Sequence, residues 1–244
     1  MHEKAIENIK YLGSVTSTND IAKKAGDAEA VFVADEQTAG KGSKGRAWQS
    51  SLNEGLYMSF LIRPTIEAAQ IPGITLMVAV VVCNAIESVC GVSCTIKWPN
   101  DVLVNGKKVC GILTESVFGA QGVERVVCGI GINTNQKFGV ELSSKADSLG
   151  IRTKRQKMVL CNRVVTGFFE GYDMYQQKGL TTFMTEFKRR SAIKGTVTLT
   201  APNQEYKGTL IGFDDTGAIV IDINGELHRF IAGEISLRGE NGYV

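Results

Sequence analysis

The sequence predicts an α+β protein: a mixed β-sheet flanked by helices, with a small β-barrel appended. Three observations carry this reading. Up to about residue 190, runs with strand alternation such as "GLYMSFLIRP" (55–64) are interspersed with helix-spaced apolar stretches. From Gly195 onward only short strand-like runs remain, joined by Asp-Asp-Thr-Gly and Asn-Gly turns. No internal repeat or low-complexity tract suggests a solenoid or a disordered tail. The stretch "KRRSAIKG" marks the change, so the expected division is 1–190 for the larger domain and 191–244 for the barrel. A chain of 244 residues has room for both.

The elements follow in order. "TSTNDIAKKAGD" opens with a capping pattern and continues with periodic Ile21, Ala22 and Ala25, which predicts a short helix. "AVFVADEQ" reads as a strand leading into the loop "QTAGKGSKGRAW" (37–48). In "GLYMSFLIRP", Leu56, Met58, Phe60 and Ile62 alternate with Tyr57, Ser59 and Leu61, the period of a strand. The most apolar run, "ITLMVAVVVCNAI" (74–86), is too short and interrupted to span a bilayer and reads as a buried helix. Asn105-Gly106, between Val102–Val104 and Val109–Leu113, is the strongest hairpin signal. "VERVVCGIGINTN" is a further strand. Leu160, Val164, Phe168 and Tyr172, then Phe183 and Phe187, recur at helical spacing. "GTVTLT", "YKGTLIGF", "AIVIDI" and "LHRFIAG" are the strands of the barrel.

Composition excludes several function classes. A net charge of +2 exerts no long-range pull on nucleic acid or membrane, so any anion binding is local. "MHEKAIENIKYLG" lacks the apolar core of a signal peptide. Six cysteines form no C-x-x-C pair and mostly sit in apolar runs, which reads as reduced core thiols in a cytoplasmic protein. His2 and His228, the only histidines, keep no ligand spacing with a cysteine, so a zinc-type site is not expected.

The glycine-rich basic loop poses the functional question. Gly40, Gly42 and Gly45 match G-x-G-x-x-G, but a strand follows where a dinucleotide site needs a helix N-terminus. Gly40 and Gly45 match the glycines of a P-loop, yet Arg46 and Ala47 stand where Lys and Ser/Thr belong. Neither phosphate loop fits. Four other stretches stand out, and the first three have at least a partial ordinary explanation. Ser17, Thr18 and Asn19 could simply cap a helix, or grip a neutral hydrogen-bonding ligand. In "KWPND" (97–101) a turn explains Pro99, Asn100 and Asp101, but not Trp98 beside Lys97. Lys107 and Lys108 could protect a sheet edge. Gly129 and Gly131 in "GIGIN" suit a strand end where backbone approaches a ligand closely.

Taken in order, "STN", "EQTAGKGSKGRAW", "GLYMSF", "KWPNDVLVNGKKVCGILTE", "GIGINTN" and "GEISLR" resemble the biotin–protein ligases, from about Tyr11 to Arg238. The resemblance implies a catalytic domain like that of class II aminoacyl-tRNA synthetases with a C-terminal SH3-like barrel. It corresponds to the form without a DNA-binding domain ahead of "STN". It implies ATP with Mg2+ as reactants, biotin as substrate, and a biotin carboxyl carrier domain as acceptor. No DNA or membrane partner is expected, and homodimerisation is left open. Biotin's carboxylate would attack ATP to give biotinyl-5′-AMP, and a carrier lysine would then take the biotinyl group. No enzyme nucleophile is needed, which suits a chain without a Ser-His pairing.

The same resemblance assigns residues. Ser17, Thr18, Asn19 and Gln37 would bind the ureido head and flanking parts of biotin. Gly40, Lys41, Gly42 and Ser43 would wrap its tail, with Gly111, Leu113, Gly129 and Gly131 as floor. Lys108 would sit on the carboxylate and bridging phosphate, with Arg46 as a second catalytic cation. Lys44, Arg46, Trp48, Asn133 and Arg238 would contact ATP or the adenylate, Asn133 also its magnesium, and Glu234 accompanies Arg238 in "GEISLR". One residue departs from the pattern. The usual loop reads like "GRGRRGR", with arginine at the position of Ser43; its loss leaves two readings, that Lys44 or Arg46 has taken over the contact or, the one favoured, that the adenylate is retained more weakly. Lipoate–protein ligases, which share the acyl-adenylate logic, and a non-enzymatic biotin-responsive regulator are the alternative readings.

Overall fold

The computed structural model describes residues 7–26, 29–120, 122–201, 204–231, 236–239 and 243. A seven-stranded sheet forms the larger unit. Its strands are β1 (Ile9–Val15), β2 (Ala30–Gln37), β3 (Gly55–Ile62), β4 (Cys94–Lys97), β5 (Asp101–Val104), β6 (Lys107–Gly119) and β7 (Gly122–Asn133), in spatial order β1-β2-β3-β7-β6-β5-β4. Only β1 and β2 pair in parallel, so the sheet is mixed, as expected.

One face of the sheet carries the helices α2 (Ile71–Cys90), α4 (Lys154–Lys178) and α5 (Thr181–Arg189). There Phe60 stacks on Phe168 at 3.9 Å between ring centroids, inside a continuous apolar cluster. The short α1 (Thr18–Lys24) covers the other face, where Ala22 closes a smaller cluster with Phe32, Leu61 and Val127. β3 lies between these layers and is buried along its whole length, which explains an apolar run on both of its faces.

α2 begins earlier and ends later than the apolar run suggested. At 20 residues it is long and apolar enough to cross a bilayer, so length does not exclude a span. Burial decides instead: 14 of its residues are buried against the sheet and α4, as in the core helix of a globular domain. The Asn105-Gly106 hairpin forms as expected, with both residues at positive φ (51° and 75°), the signature of a type I′ turn. The six cysteines are free, five of them buried.

After α3 (Val140–Ser143), α4 and α5, five strands complete the described chain: β8 (Thr196–Ala201), β9 (Gln204–Phe213), β10 (Ile219–Ile223), β11 (Glu226–Phe230) and β12 (Ser236–Gly239). They form one antiparallel sheet ordered β11-β10-β9-β8-β12. The expected barrel is thus a five-stranded sheet whose edge strands β11 and β12 do not pair among the described residues.

Candidate active site

The register across β3, β7 and β6 builds a bare floor. Tyr57 pairs Gly131, which pairs Gly111, which pairs Asp101 of β5; Ser59 pairs Gly129, which pairs Leu113. Directly paired residues share a face, so these two rows lie side by side on the α1 face of the sheet. Side chains from elsewhere rest on the glycines. A Cβ at Gly129 would stand 2.3 Å from Asn19 Oδ1, and one at Gly131 would stand 2.5 Å from Trp48 Nε1. Any other residue would push α1 or the indole away.

The polar wall comes from the start of α1. The capping reading of "STN" holds for its first residue. Ser17 is the helix N-cap, its side chain accepting from Asp20 N, while Thr18 and Asn19 are buried beside it and reach the cavity. Gln37 Oε1 accepts from Thr18 N at 2.8 Å and Thr18 Oγ1 at 3.0 Å. Asn19 Nδ2 donates to Glu115 Oε2 at 2.7 Å, and Asn19 Oδ1 accepts from Ser59 Oγ at 2.6 Å. The wall is therefore held in orientation by the protein's own hydrogen bonds.

The glycine loop closes over it as a compact turn. Gly42 N donates to Arg46 O at 2.7 Å, Trp48 N donates to Gly40 O at 2.9 Å, and Lys44 and Gly45 take positive φ. Lys41 Nζ pairs with Asp20 at 2.7 Å, joining loop to α1, and that hydrogen bond raises the Lys41 pKa. Arg46 bends back, donating to Ser43 O and to Ser43 Oγ.

Between wall, floor and loop lies a cavity of about 40 Å3. Ser17, Thr18, Asn19 and Gln37 line one side, and Lys41, Gly42 and Ser43 the loop side. Gly111, Leu113, Gly129 and Gly131 form the floor, with Lys108 at one end. Gly40 is not in the lining. It sits behind the loop, where a Cβ would meet Ser50 Oγ and Trp48 O at 2.5 Å. Met58, Asn100, Ile112 and Ile130 also line the cavity and went unassigned from sequence. Ser59 and Glu115, which orient Asn19, were missed too. A lone hydroxyl in the apolar strand "GLYMSFLI" was the available signal for Ser59.

Lys108 reaches the site through a β-bulge. Strict alternation would put it on the buried face of Cys110. The β5–β6 register shifts between Val102 and Leu103, so Val102 opposes Cys110 but Leu103 opposes Lys108. The extra residue, Val109, turns Lys108 to the face of Gly111, where its Nζ would lie 3.1 Å from a Cβ there. The edge-protection reading of the lysine pair fails, because β6 lies between β5 and β7.

Lys108 and Trp48 also line a second cavity of about 270 Å3, with Arg46, Asp101, Asn133 and Tyr243. Asp101 Oδ1 lies 2.5 Å from Lys108 Nζ. Trp48 lies across the floor between the two cavities, and its buried Nε1 has no hydrogen-bond partner. Asn133 Nδ2 donates to Lys108 O and Asp147 O, so half of its amide is spent on backbone. Lys97 is 7% exposed, and burial pushes its pKa down to about 8 against the raising influence of Asp101; Lys108, Arg238 and Arg46 lower it further as like charges. Arg238, on β12, lines neither cavity but contributes to this cationic field. Lys44 stands at the loop tip and lines neither. Glu234 lies outside the described residues. Among the described residues no cluster of three His, Cys, Asp or Glu side chains could hold a metal.

Comparison with known proteins agrees with this geometry. The model of the biotin/lipoate A/B protein ligase family matches residues 11–133, and that of the biotin protein ligase C-terminal domain matches 196–238. The bifunctional ligase/repressor BirA of Bacillus subtilis is 33% identical over 241 residues, 95% of this chain and 74% of that protein. The biotin–[acetyl-CoA-carboxylase] ligase of Mycobacterium tuberculosis is 27% identical over 95% of this chain and 88% of its own length. The biotin protein ligase of Aquifex aeolicus, solved in complex with biotin and ATP, superposes with a TM-score of 0.84 at 29% identity, covering 96% of this chain and all of that one. On motifs, fold and these likenesses together, the chain belongs to the biotin/lipoate A/B protein ligase family.

Proposed function

We infer that the protein is an ATP-dependent biotin protein ligase: it activates biotin as biotinyl-5′-AMP and transfers the biotinyl group to a lysine. The observation that carries this is the junction of the two cavities at Lys108 and Trp48. One cavity has a neutral hydrogen-bonding wall; the other is bordered by cations. An acyl adenylate, neutral head at one end and nucleotide at the other, needs that pairing. The B. subtilis and M. tuberculosis relatives and the A. aeolicus complex support biotin over lipoate. They also favour a carrier domain of a biotin-dependent carboxylase as acceptor.

Chemically, a biotin carboxylate oxygen bonds to the α-phosphorus of ATP, the α–β anhydride bond breaks, and pyrophosphate leaves. Two anions must meet, so the enzyme's task is to neutralise and align them. Lys108 Nζ stands at the meeting point, and Arg46 borders the nucleotide side. The partnerless Trp48 N–H offers a donor to the adenylate. Magnesium would come with ATP as part of that substrate and offset phosphate charge, and Asn133 is the residue that would hold it. In the second step the carrier lysine attacks the acyl carbon and AMP leaves.

Biotin-dependent ATP–pyrophosphate exchange tests the reading. Exchange supported by biotin and not by lipoate is expected, and the reverse preference would overturn it. Lys108→Ala should slow that exchange at least ~10-fold, since contacts to charged groups contribute ~1.5–3 kcal/mol and 1.36 kcal/mol is tenfold. Near-normal exchange would move the assignment to another lysine.

A further inference from the structure

One wall of the second cavity was announced by no motif. Tyr243, beyond β12, places its phenol there. Its Oη donates to Asp101 Oδ2 at 2.8 Å, and the other oxygen of that carboxylate pairs with Lys108. The face of the ring lies 3.4 Å from Lys97 Nζ. A side chain following the C-terminal sheet therefore touches Lys97 directly and reaches Lys108 through one carboxylate.

The arrangement removes a freedom that matters. A carboxylate held by a single ammonium can turn about its own bond and travel with the amine, whose four-carbon stem is flexible. With Oδ2 pinned, the direction of Oδ1 is set, and with it the position of Lys108 Nζ. Burial, then the neighbouring Asp101 charge, raise the phenol pKa, so Tyr243 stays a donor throughout the working pH range. The ring meanwhile gives the buried Lys97 ammonium a π-face in place of lost water.

We propose that Tyr243 is a positioning residue for adenylation: through Asp101 it holds Lys108 Nζ at the junction of the two cavities, so the C-terminal part of the chain completes the active-site geometry. The proposal rests on the role assigned to Lys108 above. A misaligned ammonium still attracts the substrates but stabilises developing charge less, so the loss falls on kcat rather than on KM.

Tyr243→Phe removes the hydroxyl and keeps the ring on Lys97; Tyr243→Ala removes both. In the full chain, Tyr243→Phe should lower kcat for biotin-dependent exchange on the order of 10-fold, with both KM values within about 2-fold and an unchanged melting temperature. Tyr243→Ala should lose at least as much kcat. Adding Tyr243→Phe to Lys108→Ala should cost nothing further, because the effect runs through that amine. Wild-type kcat in Tyr243→Phe, a rise in KM for ATP alone, or additive losses in the double variant would each overturn the proposal. If Lys108→Ala itself kept normal exchange, the reading of Lys108 would fall first; if it were inactive while Tyr243→Phe was normal, only the positioning role would fall.

Discussion

At the scale of residues, the site depends on what is missing as much as on what is present. Gly129 lets Asn19 lie on bare backbone, and Asn19 is held there by Glu115, Ser59 and the carbonyl of Leu113. Gly129→Ala would force a methyl against Asn19 Oδ1. Overpacking of this kind costs ~1–3 kcal/mol, and here it falls on the ligand wall. Biotin affinity measured by calorimetry should drop about 5- to 160-fold at tenfold per ~1.4 kcal/mol, while the fold survives, because Gly129 has an ordinary strand conformation. Unchanged affinity would mean that Asn19 does not contact biotin. Ser43 is the second test. Its Oγ accepts from Arg46, so a guanidinium lies beside the loop without reaching as an arginine at 43 would. Ser43→Arg should supply five donors where serine offers one. Slower release of biotinyl-AMP is expected, with less labelling of an unrelated bystander protein and unchanged labelling of the carrier. Equal release from both forms would show that Arg46 already retains the adenylate.

At the scale of elements, the site is held by contacts the sequence showed only in part. The glycine rows were visible because G-x-G at a strand end is unusual, and the hairpin because Asn-Gly demands one turn type. The bulge at Val109 was not, because it depends on register against β5. Without it, Lys107 and Lys108 were hard to tell apart by pattern. Arg190 was invisible as well, reading only as part of a boundary. It is 4% exposed and bonds Glu87 of α2, Glu186 of α5, Asn84 and the carbonyl of Cys94, while its own carbonyl accepts from Ile96 N. It thereby ties two helices to β4, the strand that leads into "KWPND". Removing one partner of such a pair costs ~3–5 kcal/mol when both are buried; Glu87 and Glu186 keep some solvent, so Arg190→Ala should cost about 2–4 kcal/mol in urea unfolding. The pH dependence has a definite sign. Hydrogen bonds from Arg189, then Arg190, hold the Glu186 carboxyl down at about 2, and Arg190 lowers Glu87. Folded-state values below the unfolded ones mean that this stabilisation is present above about pH 4.3 and lost as pH falls toward 2. The gap between wild type and Arg190→Ala should therefore narrow over that window. A gap constant from pH 6 to 2.5 would show that the carboxylates contribute nothing through Arg190.

At the scale of the whole molecule, the composition change at "KRRSAIKG" marks a domain boundary in sequence, and we propose that it marks none in folding. The main apolar cluster runs without interruption from Phe60 and Phe168 to Leu199, Phe213, Ile221 and Leu237 of the C-terminal sheet. Phe187 of α5 meets Phe213 edge-on at 5.3 Å, and Leu76 of α2 packs where Gly217 has no side chain. Trp98, the residue that no turn explained, donates its Nε1 proton to Gly217 O at 3.1 Å. The motif that positions Asp101 is thus anchored at its other end in the second sheet. Two independently stable units would unfold separately, whereas one shared core unfolds once. The two tryptophans, Trp48 at the site and Trp98 at the junction, make this readable. In a Trp48→Phe background without ligand, Trp98 fluorescence and far-UV circular dichroism should give coincident thermal midpoints. Trp98→Phe leaves a buried carbonyl without its donor, which costs about 1–2 kcal/mol and should lower the single midpoint by roughly 2–8 °C. In the wild type, biotin at about 100 times its dissociation constant should add ~2.7 kcal/mol and raise one common midpoint, although neither cavity touches β9 to β11. A Trp98 transition several degrees below the loss of secondary structure would show that the C-terminal sheet detaches first. The site would then lose Tyr243 while its floor remained folded.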